Sequence, residues 1–207
     1  VEDQWNRAVE VLGGVPTDAA ADLTQRYGEP HRAYHNAFHI AAVLREAWEI
    51  ADVSAEDWAI LTLAICAHDV VYDARPGDDE RASAAWAREK LTEAGLAERH
   101  ISKVSELVLA TVGHQSDDPL AHILLDADLS ILGADPVVYD GYAVAVRAEY
   151  SAVSDELWRA GRSKVLRGLL ERADLFHTPQ AVARWDAPAR ENLRRELSIL
   201  RDSSPKL

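Results

Sequence analysis

Apolar residues recur three and four positions apart through most of the chain, and the alternation expected of half-buried strands is scarce. Trp5, Val9 and Leu12 form the first such stripe, closed by Gly13-Gly14. A second segment runs from about Thr17 to Tyr27 and stops at Gly28-Glu29-Pro30. Ile40, Val43, Leu44 and Ala47 make a third stripe, which ends before Ser54. Ser54-Ala55-Glu56-Asp57 has the form of a capping box, with Asp in place of the usual Glu, ahead of the run Ile60 to Ala67. That run is apolar nearly all round, which predicts a central, buried helix. Asp79 to Ala94 is the next predicted helix, stopped by Gly95, and Ile101 to Val112 follows. Asp135-Pro136 and Thr178-Pro179 each place a capping side chain before a proline suited to the first helical turn. Asp186-Ala187-Pro188 is a looser version that starts the last helix. No repeat and no Gly/Ser-rich or Pro-rich linker interrupts the series. The pattern predicts one all-α domain, a helical bundle over residues 1–207.

Composition adds limits on partners. A hydrophobic share of 48% over 207 residues supplies one sizeable core. The 22 Lys plus Arg against 35 Asp plus Glu give a net charge of −13, and no basic run relieves it. Long nucleic acids and anionic membranes are therefore disfavoured as partners. A small phosphate ester held by a few local cations is still compatible. No apolar run approaches the ~18–20 residues of a membrane span, and the polar, acidic stretch Val1 to Glu10 does not read as a secretory leader. The single Cys66 cannot close an intramolecular disulfide, which fits a cytoplasmic location. Without any Met, the start of the chain is expected to be trimmed. The apolar faces fit a monomer or a dimer equally.

Metal-ligand residue types gather in three places. In Tyr34-His35-Asn36-Ala37-Phe38-His39, the two histidines share a face if the segment is helical. Cys66-Ala67-His68-Asp69 sets an imidazole and a carboxylate where the buried run finishes. Burying that carboxylate without a counter-charge is expensive, so something positive should meet Asp69. The third is Leu124 to Gly133, where Asp126 and Asp128 are embedded among aliphatic residues. Histidines and separated acids in apolar surroundings suggest convergence on one cation. Mixed imidazole and carboxylate ligands suit Zn, Mn or Fe, and fit an all-oxygen Ca site poorly.

His39, then His68-Asp69, then Asp128 follows the H…HD…D order, and in this the chain resembles the HD superfamily of metal-dependent phosphohydrolases, whose fold is an α-helical bundle. Tyr34-His35-Asn36-x-x-His39 and Ala127-Asp128-Leu129-Ser130 also resemble segments of cyclic nucleotide phosphodiesterases. The chain is far shorter than those domains and shows no purine clamp, which argues against a cyclic nucleotide substrate. The closer likeness is to a bacterial branch of predicted HD phosphohydrolases. It extends over Tyr34 to Ile40, Cys66 to Asp73, Asp79 to Ala84 and Leu125 to Gly133, then Arg147-x-Glu149-Tyr150, Gly161-Arg162 and Ala189-Arg190-x-Asn192-Leu193.

The resemblance implies that His39, His68, Asp69 and Asp128 ligate a divalent ion (Mn, Zn, Fe, Ni or Mg), with one or two ions per chain. Such an ion lowers the pKa of its water towards ~7. Asp69 could bridge to a second ion, and His114 or His122 could help to hold it. His35 matches the position that protonates the leaving oxygen in the phosphodiesterases. Asn36 could orient a ligand or His35. Glu80 is a candidate base or second-metal ligand, although an acid at a helix start also suits the macrodipole. Asp73 is similar, with turn chemistry as its other explanation. Asp126 points away from Asp128 on a helix, so a capping or solvated role is expected. Arg147 and Arg162, with Lys164 and Arg190, are candidate contacts to substrate phosphate. Ion pairing explains Arg147 as well. Tyr139, Tyr142 and Tyr150 read as packing residues, and Cys66 as a small core residue.

The expected activity is hydrolysis of a small phosphoester, such as a nucleotide, by metal-activated water. A di-iron oxygenase and a non-catalytic metal- or nucleotide-binding sensor are the alternatives.

Overall fold

The structure is a computed structural model that describes residues 1–202, and among these every regular element is helical. The all-α reading therefore holds. The sequence predicts one domain; the contacts cluster into two compact units, Val1–Ala127 and Asp128–Leu207. Nothing in composition marks that division, because α7 (Pro119–Asp128) runs through it and a 3-10 turn, Leu129–Gly133, follows at once.

The first unit contains α1 (Glu2–Val11), α2 (Ala19–Tyr27), α3 (Ala37–Ile50), α4 (Ala55–Ala67), α5 (Asp78–Glu93) and α6 (Glu98–Ala110), followed by α7. Helix α4 is its axis. Every residue from Ala59 to Ala67 is buried, and α1, α3, α5 and α6 all pack against it. A helix with no polar face is stable only when surrounded in this way. Its start is fixed by Ser54, whose Oγ accepts from the Asp57 amide at 3.1 Å. The Asp57 carboxylate takes the Ser54 hydroxyl proton at 2.8 Å instead of reaching the cap's own amide, so the box is only half reciprocal. Ser54→Ala is expected to lower stability by about 1 kcal/mol in urea unfolding.

The Gly13-Gly14 pair does more than end α1. Val15 donates its amide to the Ala94 carbonyl at 2.9 Å. A Cβ on Gly14 would stand 2.2 Å from Leu96 Cδ1 and 2.9 Å from that same carbonyl. The missing side chain is what lets the end of α1 lie against the end of α5.

The second unit holds the 3-10 turn, α8 (Pro136–Glu149), α9 (Asp155–Glu171), α10 (Pro179–Ala181) and α11 (Ala187–Asp202). Asp135 caps α8 by accepting from the Val137 amide, and Thr178 caps α10 by accepting from the Ala181 amide, both as expected from sequence. The last α-helix begins at Ala187 as expected, though not as a free start. The chain is already helical from Pro179, and a π turn, Val182–Asp186, joins α10 to α11. Pro188 has no amide proton for a carbonyl one turn back, and the wider turn before it accommodates that loss. Asn192 Nδ2 donates to the Leu132 and Ala134 carbonyls, each at 2.9 Å, which clasps the 3-10 turn to α11. Within this contact a Cβ on Gly133 would stand 2.7 Å from Trp185 Cβ and 2.8 Å from its backbone. Gly133→Ala is expected to cost about 1–3 kcal/mol through overpacking, read as a lower urea midpoint with an unchanged slope. No described helix is long and apolar enough to cross a membrane.

Candidate metal centre

Two helix ends in the first unit bring the ligand types together. Asn36 is the N-cap of α3: its Oδ1 accepts from the Phe38 amide at 2.9 Å, while its Nδ2 donates to the Ala33 carbonyl at 3.2 Å. His39 therefore falls in the first turn of α3, with 6% of its surface exposed. His68 caps the C-terminal end of α4 and Asp69 follows directly.

His39 Nε2, His68 Nε2 and Asp69 Oδ2 make a nearly equilateral triangle. The two nitrogens are 3.3 Å apart, and they lie 3.4 and 3.1 Å from the carboxylate oxygen. These are the residues whose ligand atoms meet as a group able to hold a metal ion among those described. Ligand atoms set tetrahedrally about 2.05 Å from one ion lie about 3.4 Å apart, so the spacing fits a small divalent cation. The tautomer fits as well. His68 Nδ1 lies 2.8 Å from the Ile65 carbonyl, which can only accept, so Nδ1 carries the proton and Nε2 turns its lone pair to the cluster. Burial by itself would raise the Asp69 carboxyl. The His68 and His39 imidazoles beside it override that and hold it well below the usual carboxylate range, as a ligand requires.

The groups that meet the Asp69 carboxylate are thus a pair of imidazoles. A cation, Arg32, meets its backbone. The guanidinium donates to the carbonyls of Asp69 at 2.6 Å, Val70 at 3.0 Å and His35 at 3.1 Å, and its Nε pairs with Glu29 at 2.9 Å. Its side chain is 1% exposed. Sequence reasoning passed over Arg32, which sits in a polar stretch and belongs to no motif. The available signal was the set of orphan carbonyls that any buried helix end must satisfy.

His35 precedes the α3 cap, so it and His39 do not share a helix face. The turn still brings the two rings to 5.6 Å between centroids. The His35 ring is stacked on Tyr72 at 4.3 Å and an interplanar angle of 26°. Asn36 spends its amide on capping. Glu80 accepts from the Gly77 amide, the capping interaction that its helix-start position allows. The neighbouring Asp79, 8% exposed, accepts from the amides of Asp73 at 3.0 Å and Arg75 at 2.7 Å. Together these two acids shape the Tyr72–Gly77 turn, on which Asp73 is exposed.

The remaining candidates lie elsewhere along the chain. His114 sits in the turn after α6, in the left-handed backbone region with φ 49°. His122 Nε2 contacts the Ser116 carbonyl at 2.7 Å. Asp126 is fully buried on α7 rather than solvated, and Asp128 is the last residue of that helix. In the second unit Arg147 bonds to the Tyr150 and Val153 carbonyls and to Asp155 at 2.7 Å, tying the α8–α9 connection. Arg162 forks onto Glu196 at 2.8 and 3.0 Å in a buried pair. Arg190 holds Asp186 and the carbonyls of Leu170, Arg172 and Ala173, while Lys164 is exposed. Burial pushes the Cys66 thiol up to about 12, in keeping with a core role.

Compared with known proteins, the chain matches no family model, no curated protein and no solved structure.

Proposed function

We propose that the chain is a metal-dependent phosphohydrolase acting on a small phosphoester such as a nucleotide. The observation that carries this reading is the triangle of His39 Nε2, His68 Nε2 and Asp69 Oδ2, built by residues that stand in the H…HD order. A divalent cation held there supplies Lewis acidity toward a phosphoryl oxygen and a nucleophilic water at neutral pH. The protein's part is to keep the ligand set in place and to move a proton. The Ile65 carbonyl fixes the His68 ring, and the imidazoles keep Asp69 ionised. His35, held against Tyr72 beside His39, is the group placed to protonate the leaving oxygen.

The deciding experiment is elemental analysis of protein purified anaerobically without added metal, followed by a phosphoester panel. About one Mn, Zn, Ni or Fe per chain, with phosphate released from a panel member, is the expected result. Roughly two Fe per chain, with turnover dependent on O₂, would place the oxygenase reading first. Tight nucleotide binding without turnover would instead identify a sensor.

A further inference from the structure

A second concavity lies in the first unit. It is a cavity of about 590 Å³ lined from α1, α3 and α4, and none of its lining residues belongs to the His39–His68–Asp69 group. Small side chains leave it open: Ala8, Ala41 and Ala59 stand where larger residues would close the helices together. Its apolar wall carries Leu44 and two tryptophans, Trp48 and Trp58, in an edge-to-face pair with centroids 4.9 Å apart. Trp48 is 62% exposed, a large apolar surface left to water at the edge of a hollow.

The polar groups are few and specific. Thr62 lines the cavity and is 2% exposed, yet its hydroxyl has no hydrogen-bond partner. A buried hydroxyl in a helix normally bonds to the carbonyl one turn back, and leaving it unmade is costly. Two arginines stand on the lining. Arg45 is committed to Glu46 through Nε and Nη2 at 3.0 and 2.7 Å. Arg7 makes no hydrogen bond and no ion pair with any described residue. On a chain of net charge −13, an exposed, uncommitted cation and an orphan hydroxyl on one lining are a polar address for an anion.

We propose that this cavity binds a small aromatic carboxylate, with the ring against Trp48 and Trp58 and the carboxylate taken by Arg7 and the Thr62 hydroxyl. The volume lies in the range of small-molecule sites, and an apolar lining with a few convergent polar groups is their usual composition. Aromatic rings gain from offset and edge contacts with indole beyond simple burial. The carboxylate supplies the acceptor that both polar groups need.

The test is calorimetric titration of the full chain with 2-naphthoate at 0.15 M salt, checked by tryptophan fluorescence. One site per chain is expected. Arg7→Gln should weaken it about tenfold, as for loss of a charged hydrogen bond, and Thr62→Val severalfold. Trp48→Ala, at an exposed position, should also weaken binding while leaving thermal unfolding unchanged. The neutral 2-naphthalenemethanol should bind about tenfold more weakly than the acid. The proposal is overturned by absence of saturable binding, by equal affinity for the neutral compound, or by indifference to Arg7→Gln. Decanoate binding as tightly as 2-naphthoate would overturn the aromatic part, since the tryptophan pair would then contribute only apolar area.

Discussion

Asp69→Asn is expected to abolish metal-dependent stabilisation and phosphoester turnover while leaving a folded chain. The carboxamide keeps the shape of the side chain but removes the anion that faces both imidazoles at 3.1 and 3.4 Å. Loss of a partner that merely supports a ligand typically costs 10–100-fold in metal affinity, so loss of a ligand should cost at least about 100-fold. Turnover should fall by about 10³ or more, because the ion contributes several kcal/mol to transition-state stabilisation. The metal-free fold should also lose some stability, because the imidazoles beside the buried carboxylate outweigh its desolvation penalty. Melting curves with and without metal separate these effects. Saturation at about 100 times the dissociation constant stabilises wild type by about 2.7 kcal/mol. A variant that keeps this shift would sink the assignment of Asp69 as a ligand.

Replacing Arg32 should produce the largest loss of stability. Arg32→Met keeps much of the apolar stem but takes from the carbonyls of Asp69 and Val70 the donors that the guanidinium supplies from its buried position. Removing one partner of a buried, charged network costs about 3–5 kcal/mol. Arg32→Lys should recover little, since an ammonium cannot span three carbonyls as a planar fork does. Both variants should also bind metal about 10–100-fold more weakly, because the backbone of the ligating dipeptide loses its tie. Urea unfolding with calorimetric metal titration checks both statements. A lysine variant as stable as wild type would show that charge, rather than fork geometry, matters there.

Much of the helical order was legible because caps and apolar runs are local signals. Ser54, Asp135 and Thr178 each act at the helix start their chemistry predicts. The nearly all-apolar run Ile60 to Ala67 identified the central helix, and the structure buries that run completely. The last α-helix begins at Ala187, as Asp186-Ala187-Pro188 indicates, but the π turn that runs into it has no composition of its own. The unit division was equally silent, since α7 crosses it without a break in hydrophobic period.

At the site, ligand residue types stood out in three stretches, and the resemblance in motif order singled out His39, His68, Asp69 and Asp128, of which the first three form a group able to hold a metal ion. The contribution of Arg32 was not, because its role is defined by carbonyls that are 37 and 38 positions away in sequence. Asn36 and Glu80 show the converse difficulty. The same side chains suit ligand contact and helix capping, and only the fold displays the amides they accept from.

The burial of every residue from Ala59 to Ala67 bears on kinetics. That stretch of α4 opens only when the unit around it comes apart, so its amides should rank among the slowest to exchange with deuterium. His68 and Asp69 are anchored to the end of that slow element, and Arg32 clamps the carbonyls just beyond it. The ligand atoms are therefore held by elements that open slowly. Metal association should follow a single exponential whose rate rises linearly with metal concentration, without the plateau that a preceding conformational step would impose.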